Sequence, residues 1–244
     1  MKTILVGDGT VGKALGKAMG IKPQGKSDDT INADVVIITV PTLTIKGEQD
    51  LSQVYQVMDR LIGWVTIQPK LVILRSTVLP GTTYELEKRY PWNIIFVPEF
   101  GFEKTMVKDL KHPDYYLLGS EDKDDIKLAK KVLPKAKKYI QMRSISAEFA
   151  KYFCNMWGST QITLANTLYD WAKDPVVYEQ ALKGALMHKN IPKWGWKIWD
   201  QGSRGWGGKC LLKDYKAAIS KFPHPVWVEM DKYNDKLIRI YGKK

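Results

Sequence analysis

Lys2-Thr3-Ile4-Leu5-Val6-Gly7-Asp8-Gly9-Thr10-Val11-Gly12 is the segment from which the architecture follows. Residues 2–6 read as a short buried strand. Gly7, Gly9 and Gly12 then form a G-x-G-x-x-G loop, and Val11, Leu15, Ala18 and Met19 continue at helical spacing. Strand, glycine turn and helix, in that order, give the loop its meaning. The glycines permit a tight turn, close approach of a pyrophosphate, and close packing of helix on strand. The helix N-terminus then faces the phosphates with the positive end of its dipole. Gly7, Gly9, Thr10, Val11 and Gly12 are therefore expected to hold a dinucleotide. The acidic residue expected about 20 residues further on, for the ribose hydroxyls, is Asp28 or Asp29. If Lys26 and Ser27 face the ribose instead, a 2′-phosphate is tolerated.

The same alternation continues downstream. Residues 21–27 make a poor second strand. Asp34-Val35-Val36-Ile37-Ile38-Thr39-Val40-Pro41-Thr42 is a buried strand, and 50–63 is an amphipathic helix with Leu51, Val54, Met58, Leu61 and Ile62 on its apolar face. Further strands are expected at 70–77, 94–100 and 115–119. Strands alternating with helices predict an α/β fold, an N-terminal Rossmann doubly wound parallel sheet with ligands at the carboxyl ends of its strands. The glycine loop, Pro41-Thr42, Ser76-Thr77 and Pro98-Glu99 all fall at such ends.

From about Ser144 the pattern changes. A long helix starts near Ser146-Ala147-Glu148 and runs through Trp171, apolar on more than one face, as in a buried or dimer-packed helix. Asp174-Pro175 ends it, and 176–188 forms a shorter helix. Residues 192–209, rich in Gly and Trp, read as loop, with helix resuming at Asp214. Two domains are expected: 1–143, the Rossmann domain, and 144–244, a mostly helical domain with a long central helix.

Composition narrows the class. The 244 residues, 44% of them hydrophobic, suffice for one large or two modest cores. No apolar run approaches the roughly 20 residues of a membrane span, and the N-terminal apolar run is too short for a signal peptide. The chain reads as soluble and cytoplasmic, without a membrane partner. Two cysteines, Cys154 and Cys210, are too few for a disulfide framework, and His112, His188 and His224 are scattered, so no metal site is expected. Seven lysines against three aspartates in 122–138 contribute +4 of the net charge of +12. That run reads as a solvated helix face, or as a field that attracts anionic nucleotides. Nucleic-acid binding finds no motif.

Seven segments in order carry a resemblance: the glycine loop; Ala33–Thr42; Arg75-Ser76-Thr77-Val78-Leu79-Pro80-Gly81-Thr82-Thr83; Pro98-Glu99-Phe100; Asp109–Asp114; Ala147-Glu148-Phe149-Ala150-Lys151-Tyr152-Phe153-Cys154-Asn155; and Gly207-Gly208-Lys209-Cys210-Leu211-Leu212-Lys213-Asp214. Together they resemble the UDP-glucose/GDP-mannose dehydrogenase family, NAD-dependent enzymes that oxidise a sugar-nucleotide alcohol to a carboxylate. The resemblance implies NAD as cofactor, a sugar-nucleotide substrate, and a homodimer through the 147–171 helix. It makes Cys210 the nucleophile that traps the aldehyde as a thiohemiacetal and then carries a thioester, chemistry that suits a thiol near positive charge. Cys154, in mid-helix, reads as a small buried hydrophobe.

Lys151 and Asn155, at i and i+4, share a helix face. By resemblance they lie beside the reacting carbon and stabilise alkoxide character. Glu103 becomes the acid/base that handles water, and Glu99 a carboxylate that orders the site. Asp214 is expected to bond Lys151 or water, or to N-cap a helix. Thr77 binds water or cofactor, Pro41 and Thr42 the cofactor, and Lys213 a cofactor phosphate. Glu99, Phe100, Lys151, Asn155 and the backbone of Gly207 are expected against the substrate. This chain has Gly101-Phe102 where the family carries Leu-Arg. It also ends at Lys244, where the family continues into a third domain that binds much of the nucleotide, so the sugar is left open. Trp194, Trp196, Trp199 and Trp206 offer stacking surface or simple packing. Two other readings remain: a two-electron β-hydroxyacid-type dehydrogenase, and a catalytically silent NAD-binding or partner-binding protein.

Overall fold

The structure, a computed structural model, describes residues 1–25, 33–63, 68–101, 104–199 and 202–242. They form two compact units, Met1–Ile45 with Gln49–Lys151, and Lys46–Glu48 with Tyr152–Lys244.

The first unit contains β1 (Thr3–Val6), α1 (Thr10–Met19), β2 (Val35–Ile38), β3 (Thr44–Ile45), the Gln49 end of β4 (Glu48–Gln49), α2 (Ser52–Gly63), β5 (Leu71–Leu74), α3 (Thr82–Arg89), β6 (Ile94–Phe96), α4 (Met106–Lys111), β7 (Tyr115–Gly119), α5 (Lys123–Val132), β8 (Lys138–Met142) and the start of α6 (Ser144–Ala172). The six-stranded sheet has the order β1-β2-β5-β6-β7-β8. This is the doubly wound α/β fold expected. The strand residues alternate between two apolar layers. Val6, Ile38, Leu74 and Phe96 join Val54, Met58, Leu61 and Leu86 of α2 and α3. Leu5, Ile37, Ile73 and Ile95 join Leu15, Leu110 and Ile126 of α1, α4 and α5. Burial on both faces explains the unbroken Val/Ile/Leu runs.

Two details were not in the sequence pattern. The neighbours β6 and β7 are antiparallel, while the other pairs of the six-stranded sheet are parallel. The helix between them is short, and the chain enters β7 from the carboxyl end of β6. The weak second strand is realised as one bridge, Gln24 beside Val6. From β1 the chain therefore passes to one side at Gln24 and to the other at β2. That reversal puts the glycine loop at a topological switch point, where ligands of such sheets bind.

The second unit holds the rest of α6, α7 (Pro175–Ala185), α8 (Gly208–Lys221) and α9 (Pro225–Tyr241). Asp174 does not merely end α6. Its carboxylate accepts from the N–H groups of Val176 and Val177, and Pro175 occupies the first turn, so it caps α7. The segment expected as loop to 209 becomes helical at Gly208, which places Cys210 in the first turn of α8. Trp206 is buried, whereas Trp194 and Trp199 are half-exposed. No helix among the described residues is long and apolar enough to cross a membrane.

Candidate active site

The glycine loop is shaped by contacts that exclude side chains at two positions and leave the third open. Gly7 has φ +112°, and a Cβ on it would lie 2.7 Å from the Thr39 carbonyl carbon. A Cβ on Gly12 would lie 1.7 Å from the Gly7 oxygen. A Cβ on Gly9 meets nothing within 4 Å. Gly9 is the N-cap of α1 and offers no side-chain cap, so the first-turn N–H groups at Thr10 and Val11 await an acceptor. Pyrophosphate oxygens supply acceptors of that kind, so the loop fits a dinucleotide. Thr39 was not singled out by sequence reasoning. Its hydroxyl donates to the oxygens of Val6 and Gly7 at 3.0 and 3.2 Å, tying β2 to the loop. A polar residue closing an apolar strand was the available signal.

Adjacent strand ends are tied in the same way. Ser76 Oγ donates to the Val40 oxygen at 2.7 Å. Thr42 Oγ1 donates to the Thr77 oxygen at 2.6 Å, and the Gln49 amide donates to that oxygen at 3.1 Å. Thr42 and Thr77 are thus together, with Pro41 exposed beside them. Glu99 pairs with the buried Arg75 and accepts from the Gly101 N–H at 2.6 Å. Lys151 Nζ donates to the Glu99 carbonyl at 2.5 Å and lies 5.4 Å from the centre of the Phe100 ring. Glu99, Phe100 and Lys151 therefore form one cluster. Asp28, Asp29, Lys26, Ser27 and Glu103 lie outside the described residues.

Glu148, one turn before Lys151's neighbour Tyr152, is fully buried. Its carboxylate accepts from the N–H of Gly81 at 2.5 Å and from the N–H and hydroxyl of Thr83 at 2.8 and 2.5 Å. It fixes α6 to the N-terminus of α3. Burial pushes its carboxyl above the usual range, against those hydrogen bonds.

In the second unit, Asn155 Nδ2 donates to Asp214 Oδ2 at 2.6 Å, and Lys213 pairs with Asp214 Oδ1. Asp214 is 2% exposed and lies within α8. It is not an N-cap: Gly207 holds that place. Gly207 meets open space where a side chain would project, and Gly208 has φ +73°. Cys210 is exposed in the turn that follows. Cys154 is exposed too, so the buried-hydrophobe expectation fails for it. Helical period explains this, since Phe153 and Trp157 beside it also face outward. Among the described residues no group of three or more His, Cys, Asp or Glu is placed to hold a metal ion.

Residues 1–137 match the NAD binding domain model of the UDP-glucose/GDP-mannose dehydrogenase family, and 145–236 match its central domain. The chain belongs to this family. It is 28% identical over 202 residues to UDP-glucose 6-dehydrogenase of Rickettsia prowazekii (strain Madrid E), covering 78% of this chain and 45% of that protein. It is 27% identical over 239 residues to GDP-mannose 6-dehydrogenase of Pseudomonas aeruginosa, covering 88% and 53%. The chain thus spans about half the length of these relatives. The fold is that of the UDP-D-ManNAc dehydrogenase of Pyrococcus horikoshii, with TM-score 0.81, 20% identity, and coverage of 98% of this chain and 69% of that one. The glycine loop accordingly lies in the family's NAD-binding domain, and Asn155, Cys210 and Asp214 lie in its central domain.

Proposed function

We propose that the protein oxidises the primary alcohol of a sugar nucleotide, UDP-glucose-like, to the carboxylate through a covalent bond to Cys210. The observation that carries this is the exposed thiol in the first turn of α8, behind a glycine pair that leaves the approach open. The alcohol first loses a hydride and a proton to give an aldehyde. Sγ of Cys210 adds to the aldehyde carbon, and its proton ends on the former carbonyl oxygen, giving a thiohemiacetal. Loss of a second hydride and proton gives a thioester. Water then adds, the C–S bond breaks, and carboxylate and thiol are released. NAD, when bound, accepts the hydrides.

Lys151 and Asn155, one turn apart on α6, supply donors for the oxygen as it gains negative charge. Asp214 holds the Asn155 amide, which orients it. Glu99 and Phe100 order the substrate side of Lys151, Gly207 leaves room for the sugar, and Glu103 or Thr77 handles the water. Thr42, Pro41, Thr77 and Lys213 serve the cofactor. We assign cofactor binding to 1–143 and the thiol to 144–244, and a homodimer to the exposed face of α6, where Phe149, Phe153 and Trp157 recur every four residues.

Assay of UDP- and GDP-sugars with NAD and with NADP, read by absorbance and product mass, tests the substrate class. Wild type is expected to form two NADH and one carboxylate per sugar. Cys210→Ser is expected to form no carboxylate. Undiminished turnover of Cys210→Ser sinks the covalent route and favours a two-electron dehydrogenase. NAD binding without turnover of any sugar favours a silent binding protein.

A further inference from the structure

Four residues before Cys210, both backbone polar groups of Trp206 are held by a single side chain. Asn234, on α9 and 1% exposed, accepts the Trp206 N–H at Oδ1, 2.8 Å, and donates from Nδ2 to the Trp206 oxygen, 2.9 Å. One amide thus pairs with this residue as an adjoining strand would. Gly205 makes the approach possible: its φ is +85°, and a Cβ there would lie 2.6 Å from Asn234 Oδ1.

The flanking side chains are held as firmly. The Trp206 indole donates to Thr163 Oγ1 of α6 at 2.9 Å, and its ring lies 4.5 Å from that of Tyr215 on α8. Arg204 is buried, donating from Nε to Asn166 Oδ1 at 3.0 Å and from Nη2 to Asp170 Oδ1 at 2.6 Å. The other oxygen of Asp170 accepts the hydroxyl of Tyr233, the residue before Asn234, at 2.6 Å. Residues 204–206 are therefore bound to α6 and α9 immediately before two glycines. Glycine has wide backbone freedom, so Gly207 and Gly208 do not themselves fix the direction in which the chain enters α8. The grip on Trp206 fixes the point from which that entry begins.

We propose that Asn234 is a positioning residue for the Cys210 thiol, an inference that rests on the nucleophile reading above. It acts through the Trp206 backbone and not on substrate. Removing it leaves a buried N–H and C=O unpaired and frees the glycine joint, so the thiol is misplaced. A displacement of about 1 Å at a reacting group costs up to about a hundred-fold in rate.

The test uses the full chain in a Cys154→Ser background, with NAD and UDP-glucose, and follows iodoacetamide alkylation of Cys210 by peptide mass. Asn234→Ala is expected to lower kcat by about ten- to a hundred-fold with KM for UDP-glucose nearly unchanged, and to change the alkylation rate of Cys210 at temperatures where circular dichroism shows it folded. Asn234→Asp keeps the Oδ1 acceptor and loses the donor, so it should fall between; it carries the same test if Asn234→Ala does not fold. Unchanged kcat and unchanged alkylation in a folded variant overturn the proposal. A merely structural role would lower Tm and leave both untouched. Cys210→Ser is run alongside. If it remains active, the nucleophile reading fails, while the alkylation rate still reports whether Asn234 places the thiol.

Discussion

Gly7, Gly9 and Gly12 are one motif in the sequence and three different constraints in the structure. Gly7 and Gly12 are closed in by backbone, whereas Gly9 faces open space. Gly12→Ala is therefore expected to cost stability through a clash the loop cannot relieve, of the 1–3 kcal/mol order typical of overpacking, about 2 kcal/mol. Gly9→Val should cost less, about 1 kcal/mol through the poorer N-cap, and yet weaken NAD binding. Thermal melts with and without NAD, beside calorimetric titration, check both. Equal Tm losses for the two variants would show that Gly9 is structural as well. The motif was legible because a strand, a glycine turn and a helix are adjacent in the chain. Thr39 was not, because its role depends on which oxygens of a different strand it meets. The exposure of Cys154 and the place of Asp214 escape the sequence pattern for a related reason: a residue's place on a helix decides its exposure, and α8 begins at Gly208, six residues before the start at Asp214 that the pattern predicts.

Helix and strand boundaries show where periodicity is informative. The four central strands and α2 are apolar runs or clean amphipathic patterns, and they lie close to where the sequence puts them. The edge strand β8, Lys-Tyr-Ile-Gln-Met, is largely solvent-facing and has no such pattern. The charge run before it forms α5, N-capped by the Asp122 carboxylate. On that helix Asp125 is buried and accepts from the Asn93 amide at 2.9 Å. Burial, assisted by the charges of Asp122 and Asp124, holds its carboxyl above the usual aspartate range despite the bond from Asn93. A carboxyl raised in the folded state binds its proton more tightly there than when unfolded. Its contribution to stability is thus present below the unfolded value and is lost as pH rises through the folded one. Asp125→Asn keeps the acceptor for Asn93 and removes the charge. It is expected to melt higher than wild type at pH 7, with the difference closing below about pH 4 as wild type becomes neutral. A difference that stays constant from pH 3 to pH 8 would refute this assignment.

The chain as a whole carries 38 Lys and Arg against 26 Asp and Glu, a positive balance whose long-range effect on anions is screened by salt. Part of its exposed apolar surface lies along the long helix: Phe149, Phe153 and Trp157 lie on one face of α6, and Phe153 is 76% exposed. Patches of this kind mark partner surfaces. Phe153→Glu is expected to shift the protein from dimer to monomer at micromolar concentration while leaving circular dichroism unchanged, and sedimentation velocity would show it. A wild type that sediments as a monomer would remove the dimer proposal outright.

What the sequence by itself determined is local and ordered: a strand–glycine–helix opening, alternating elements with both faces apolar, and a series of motifs that set the family and the cofactor. These follow from residue spacing over a few turns, which burial imposes directly on composition. What only the tertiary structure decided is partnership. Glu148 with the start of α3, Asn155 with Asp214, Lys151 with the Glu99 carbonyl, and Asn234 with the backbone of Trp206 each join residues 28 to 67 positions apart. A buried polar group must find a partner, but the requirement names no residue, and only the packed chain supplies it.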